Sequence, residues 1–104
     1  MIDVQAGAIA ALGDEDAPAQ ARRLYAERAD TLIPALRHIG CEVQRPEAGF
    51  YLWVGAPGGE SGIAFARRLL AGPPSMAVMP GEWLAEPVGD GRPSPGAGRV
   101  RIAL

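Results

Sequence analysis

The strongest β-strand pattern in this 104-residue chain is Phe50-Tyr51-Leu52-Trp53-Val54, in which every residue is aromatic or aliphatic. Residues of these types favour strands. A strand that is apolar at every position, rather than at alternate ones, is typical of burial on both faces. The sequence therefore predicts a central strand at 50–54, with other strands on either side and helices packed over it.

Three weaker strand patterns accompany this central one. Residues 41–45 alternate and end at Pro46, which predicts an edge strand, and residues 76–79 form a short apolar strand. Residues 99–104 alternate cleanly between polar and apolar side chains. Helices are predicted at 4–12, at 14–39 and at 61–70, and a long Gly- and Pro-rich loop at 85–98.

Local signals set the expected helix ends and turns. Gly13 should end the first helix, and Ser61 should cap the third. Pro34 should kink or break the second helix, because proline removes a backbone hydrogen bond and crowds the preceding turn. Pro80-Gly81 fits a type II turn. A few strands with long covering helices predict an α/β fold, a two-layer sandwich.

Composition excludes several functional classes. All ten basic residues are Arg and none is Lys, so the chain offers no lysine amine for covalent chemistry. The net charge of −2 argues against nucleic-acid binding. No apolar run is long enough to span a membrane, and the N-terminus has no secretory pattern. A single cysteine, Cys41, fits a reducing compartment, and we expect a cytoplasmic protein.

Most candidate chemical groupings have a simpler structural interpretation. His38 and Cys41 lack partners for a metal site, and no motif supports a nucleophile at Ser61. The glycine-rich segment 55–62 lacks the lysine of a phosphate-binding loop. The aromatic residues of 50–54 lack interleaved basic residues, so a packed core strand is preferred to a base-stacking platform.

Arg101 is the one residue with a specific binding hypothesis. It stands between Val100 and Ile102, so if those two point into the core it points to the opposite face. A guanidinium held on a strand could clamp a carboxylate through two hydrogen bonds. Spacing alone favours the alternative, an ordinary surface arginine.

Five segments in order resemble the C-terminal small domain of class I/II aminotransferases, the pyridoxal-phosphate enzymes of fold type I. They are residues 23–36, Ala-Gly-Phe-Tyr-Leu-Trp-Val at 48–54, Phe-Ala-Arg-Arg-Leu-Leu at 65–70, Val-Met-Pro-Gly-Glu-Trp at 78–83 and Val-Arg-Ile-Ala-Leu at 100–104. The resemblance covers nearly the whole chain. Val-Gln-Ala at 4–6 and the pattern over 25–36 are most similar to succinyl-diaminopimelate aminotransferases of lysine biosynthesis.

The resemblance implies a fold and a role for Arg101. The fold is a small, mostly antiparallel sheet covered by helices, and Arg101 matches the arginine that binds the substrate α-carboxylate. Gly49 and Phe50 match a Gly-Phe pair that borders the active site, Pro80 and Gly81 match the family's Pro-Gly turn, and Trp83 stands where an aromatic residue is common. No catalytic role is implied for these five.

The resemblance also implies what the chain lacks. In the family, the lysine that holds pyridoxal phosphate and the other cofactor ligands lie in a large domain, and the chain has no lysine to replace it. Residues 1–13 are then the end of an inter-domain or large-domain helix, and 14–104 are the small domain, without the closing helix. We expect a fragment of a homodimeric transaminase acting on an amino acid and a 2-oxo acid, inactive alone. The alternative is a non-catalytic protein-interaction module.

Overall fold

The computed structural model describes all 104 residues, Met1 to Leu104. Three helices, α1 (Ile2–Gly13), α2 (Asp16–His38) and α3 (Gly62–Ala71), accompany four strands, β1 (Glu42–Val43), β2 (Tyr51–Gly55), β3 (Met79–Pro80) and β4 (Arg99–Ala103). The strands form one sheet in the order β1-β2-β4-β3, in which every neighbouring pair is antiparallel. The predicted two-layer α/β architecture with an antiparallel sheet is confirmed.

The core lies between one face of the sheet and helices α2 and α3. Leu52 and Val54 of β2, Val100 of β4 and Phe65 of α3 are completely buried. Helix α2 contributes an apolar stripe to the same cluster, made of Ala29, Ile33 and Leu36. Because these residues recur at helical spacing, one face of α2 is buried while its charged residues face solvent.

Strand β2 is central, as predicted, but the expectation of burial on both faces is wrong. Leu52 and Val54 are buried, whereas Tyr51 is 40% exposed and Trp53 is 38% exposed. Helices α2 and α3 lie on the same side of the sheet, so the second face has no covering element within the chain. Tyrosine and tryptophan tolerate this position because their rings combine apolar surface with a polar atom.

Helix α2 runs through Pro34 without interruption, so the predicted alternative of a break into two helices is wrong. Ile33 and Leu36, on either side of the proline, are both in the core. Their burial offsets the cost of the missing hydrogen bond, which is about 3 kcal/mol in a helix interior. At the other end of α2, the Asp14 carboxylate accepts hydrogen bonds from the backbone N–H groups of Asp16 and Ala17, at 2.9 and 3.1 Å.

The remaining boundaries differ from the sequence pattern in small ways. Helix α1 includes Gly13 instead of ending before it. The strand expected at 41–45 is paired only at Glu42–Val43, and of the strand expected at 76–79 only Met79 is paired, together with Pro80. Ser61 caps α3 as predicted, its hydroxyl accepting from the Ala64 N–H at 3.1 Å. No helix in the chain has both the length and the apolar character needed to cross a membrane.

The turn at Pro80-Gly81 is a short 3₁₀ helix, Gly81–Trp83, and not the predicted type II turn. A type II turn needs a positive φ at the glycine, and Gly81 does not have one. The glycine is needed instead for close approach, since a Cβ on Gly81 would lie 2.4 Å from the carbonyl oxygen of Gly96. The sequence carries no local signal for such a contact between distant segments.

Glu82 joins this turn to the start of α3. Its carboxylate accepts from the Gly62 N–H at 2.7 Å and from the Gly98 N–H at 3.2 Å. Burial acts to raise the pKa of this carboxyl group, but the backbone donors outweigh it and hold the pKa below its ordinary value of 4.5. Sequence reasoning did not single out Glu82, because its partners are backbone groups that only the folded chain brings together.

Replacing Gly62 by alanine should destabilise the fold. A Cβ at Gly62 would lie 2.0 Å from the carbonyl oxygen of Arg99, so α3 would have to move off β4. We expect Gly62→Ala to lower the free energy of unfolding by about 1–3 kcal/mol, measured by urea denaturation. Gly7→Ala is the matched control in an exposed helix, where a Cβ meets nothing within 4 Å. Equal stability of the two variants would contradict the close contact.

Glu82 should make stability depend on pH in the acidic range. A carboxyl group whose pKa is lowered by folding stabilises the folded chain above its unfolded pKa, and this contribution is lost as the pH falls through the folded pKa. We therefore expect the wild type to exceed Glu82→Gln in stability at pH 7, with the difference shrinking below pH 4.5. Glu47→Gln, at an exposed position, is the control. A difference that stays constant with pH would argue against the role given to Glu82.

Candidate functional site

The uncovered face of the sheet carries the candidate site, and the strand register sets its layout. Arg101 on β4 is paired with Trp53 on β2 and with Met79 on β3. Tyr51 is paired with Ala103, two residues beyond Arg101 on the same face. We call the side chains of Tyr51, Trp53, Met79, Arg101 and Ala103 the open face.

Arg101 points away from the core, as its sequence position predicted. Its neighbours Val100 and Ile102 are 0% and 5% exposed, and Arg101 itself is half-buried. The guanidinium carbon lies over the Tyr51 ring, 4.3 Å from its centre. This is well within the range of about 6 Å over which a cation is attracted to an aromatic face.

Arg101 has no polar partner within the chain. None of the four ion pairs and none of the side-chain hydrogen bonds involves it. A guanidinium carries five N–H donors in a planar fork that matches a carboxylate. The open face therefore presents an unpaired cation on a rigid strand, a suitable site for a carboxylate from outside the chain.

Arg99 shows the contrasting arrangement on the same strand. Its guanidinium lies 3.5 Å from the Glu42 carboxylate, two strands away. Gly55 stands between the two in the register and has no side chain to separate them. Arg99 is thus neutralised within the chain, whereas Arg101 is not.

An aromatic row continues from the open face around the end of β2. The Phe50 ring lies 4.4 Å from the Tyr51 ring and 5.7 Å from the Tyr25 ring of α2, measured between ring centres. Tyr25, Phe50 and Arg22 also line a cleft of about 410 Å³ between α2 and the segment before β2. Gly49, with a φ of +85°, makes the turn that places Phe50 there.

The other sequence candidates have structural roles or stand apart. Cys41 is buried in the core, and burial raises its pKa, an effect to which Glu60 adds and which Arg68 opposes. His38 is exposed at the end of α2. The Ser61 hydroxyl is engaged in capping α3. Trp83 is 67% exposed and lies in the 3₁₀ turn Gly81–Trp83, outside the strands.

The residues of this chain cannot hold pyridoxal phosphate, the cofactor of the family that the sequence resembles, through a covalent bond to lysine. Pyridoxal phosphate is held through a lysine side chain, and the chain contains none. No step through the cofactor is therefore assigned to residues 1–104. Sequence reasoning also missed the contact of Tyr51 with Arg101, because a continuous apolar run did not show that the two side chains share a face.

The chain is similar in sequence to curated aminotransferases. It is 37% identical over 102 residues to the LL-diaminopimelate aminotransferase of Dehalococcoides mccartyi, covering 97% of this chain and 24% of that protein. It is 38% identical over 103 residues to a probable aminotransferase of Mycobacterium tuberculosis, of which it covers 21%. The chain thus spans about a quarter of the length of these relatives. Those with a named substrate are LL-diaminopimelate enzymes, and not the succinyl-diaminopimelate enzymes that the sequence resemblance had favoured.

A solved structure agrees with the fold. The crystal structure of an aminotransferase from Neisseria meningitidis matches 99% of this chain and 25% of its own length, with a TM-score of 0.85 and 42% identity. Residues 3–104 match the family described as aminotransferase class I and II, and the chain belongs to that family.

Proposed function

We propose that this chain is the part of a pyridoxal-phosphate aminotransferase that holds the substrate α-carboxylate, with Arg101 as its ligand. The observation that carries the proposal is the unpaired guanidinium on the open face, fixed to a strand whose neighbouring residues are buried. Bidentate hydrogen bonding by such a group fixes both the position and the orientation of a carboxylate.

The contribution of this chain to the reaction is binding and orientation. When bound, the cofactor supplies the amino-transfer chemistry, and it must be held by residues outside 1–104, because no lysine lies within them. Arg101 would anchor the carboxylate, so that the substrate Cα is held at a fixed distance from β4. Holding a reactant in the reactive geometry supplies a large part of many catalytic effects.

The relatives' names support diaminopimelate as the amino donor, and the family resemblance implies a 2-oxo acid as the acceptor. LL-Diaminopimelate and its succinylated form both carry an α-carboxylate, so Arg101 could bind either. We propose the first because it is the substrate printed in the names of several relatives. The assay that separates the two offers both donors to the complete enzyme. Turnover of the succinylated donor alone would contradict the choice.

We further propose that residues 1–13 belong to the connection with the remainder of the enzyme, and 14–104 to the small domain. The support is α1, where every residue is exposed, including Ile2, Val4, Ile9 and Leu12, at 69–83%. A helix this apolar needs protein around it. We expect the covering protein to be the remainder of the enzyme and the second subunit of a homodimer. Cys41, a free thiol, suits a reducing compartment.

The same exposed helix supports a second candidate, a protein-interaction module without catalysis. In that case the purified chain should stay soluble and form a discrete complex, either with itself or with another protein. Sedimentation of the wild type and of a variant with Ile9→Ser and Leu12→Ser tests this. Aggregation of the wild type, relieved by the two substitutions, would count against the module and for an interface normally covered within one enzyme.

Arg101 should be required when the chain is part of a complete enzyme. The test replaces the matching quarter of the N. meningitidis aminotransferase by this chain and measures kcat/KM. We expect Arg101→Gln to lower kcat/KM about 10- to 100-fold, because charged hydrogen bonds to the substrate are lost, and Arg101→Lys to lower it less.

Arg99→Gln is the matched control, since Arg99 lies on the same strand and face but is paired with Glu42. It should leave kcat/KM within about threefold of the parent, as expected for an exposed pair. Equal losses at positions 99 and 101 would contradict the assignment of the carboxylate to Arg101.

The isolated chain should form no covalent lysine adduct with pyridoxal phosphate. Borohydride reduction followed by mass spectrometry of peptides measures this directly, since a reduced adduct adds a fixed mass. We expect no modified side chain, because the chain has no lysine. A stable adduct on a side chain, or transamination by the isolated chain, would overturn the division of labour proposed above.

A further inference from the structure

We infer that Tyr51 is a positioning residue for Arg101, holding the guanidinium over its ring in the orientation that receives a carboxylate. The inference rests on the proposed function of Arg101 and adds to it a second side chain. Its basis is the approach of the Arg101 guanidinium carbon to 4.3 Å from the centre of the Tyr51 ring.

The strand register makes this contact possible. Tyr51 is paired with Ala103, which places it diagonally from Arg101 across the β2–β4 pair. Diagonal neighbours are within reach of long and aromatic side chains. Ala103 carries only a methyl group on the open face, so the Arg101 side chain can lean along its own strand and lie over the ring.

Because its partner is an aromatic ring, Arg101 can still bind a carboxylate from outside the chain. An acidic partner would occupy the guanidinium. Glu42 occupies the guanidinium of Arg99, whereas no carboxylate contacts Arg101. The attraction between a cation and a ring acts through the π face and requires no hydrogen-bond acceptor. The N–H donors of Arg101 therefore remain available while the side chain is restricted to fewer rotamers.

The Tyr51 ring has a second contact, with the neighbouring Phe50 ring. The Phe50 ring lies 4.4 Å from the Tyr51 ring, and the Phe50 carbonyl oxygen accepts from the Leu104 N–H at 2.8 Å, closing the end of the β2–β4 pair. Leu52, the next residue after Tyr51, is completely buried. Tyr51 thus has a fixed backbone and a packed neighbour, as a positioning residue needs.

The test is a titration of the whole 104-residue chain with a carboxylate. NMR signals of the Arg101 side chain are recorded at each step of the titration. Sodium acetate is the probe and sodium chloride at equal ionic strength is the reference. In the wild type, a ring current from Tyr51 should shift the Arg101 side-chain protons upfield, and acetate should move the Arg101 Nε–H signal. Tyr51→Phe should keep both effects, because it keeps the ring.

Tyr51→Leu should abolish the upfield shift and weaken acetate binding about two- to fivefold, the size expected for a partly exposed cation–ring contact. Tyr51→Val, which retains a high preference for strands, is the second variant in case Tyr51→Leu is poorly folded. Trp83→Leu is the control, because it removes an exposed ring from the turn after β3, outside the open face. It should leave acetate binding unchanged.

The outcomes separate this inference from the function on which it rests. Failure of acetate to move the Arg101 signal in the wild type would overturn the carboxylate site, and the inference with it. Acetate binding in Tyr51→Leu and Tyr51→Val equal to the wild type would overturn the inference alone. So would an equal loss in Trp83→Leu, or the absence of an upfield shift in the wild type.

Discussion

The structure depends on the pairing of β2 with β4 over five residues. Side chains alternate between the two faces of a strand, so one register decides which residues enter the core and which lie on the open face. In this register Leu52 meets Ile102 within the core, while Trp53 meets Arg101 on the opposite side. A slip by one residue would bury the guanidinium and expose the aliphatic residues, which strongly favours the observed pairing.

Much of the fold and the orientation of Arg101 could be predicted from local sequence patterns, and the features that could not be predicted have definite physical causes. The alternation over 99–104 was sufficient to orient Arg101, because that strand has a polar and an apolar face. The run at 50–54 was misleading, since Tyr51 and Trp53 count as apolar in a pattern but tolerate partial exposure. The roles of Gly62 and Glu82 depend on contacts between segments distant in sequence, and no local pattern encodes these.

The two arginines of β4 show how a fold gives identical residues different surroundings. Arg99 and Arg101 share a strand and a face, yet only Arg99 has an acidic partner. The partner of Arg101 is the Tyr51 ring, which restrains the guanidinium without occupying its donors. A chain that has arginine but no lysine thus presents one guanidinium open to a carboxylate, and it spans about a quarter of the length of its aminotransferase relatives.

The central claim is that Arg101 is the carboxylate ligand of this domain. A crystal structure of the enzyme in which this chain replaces its N. meningitidis counterpart, soaked with a substrate-like 2-oxo acid, tests it most directly. The account predicts both oxygens of the carboxylate at about 2.7–2.9 Å from Arg101 nitrogens, with the guanidinium still over the Tyr51 ring. A carboxylate held by Arg22 or Arg99 instead, with Arg101 turned to solvent, would contradict it.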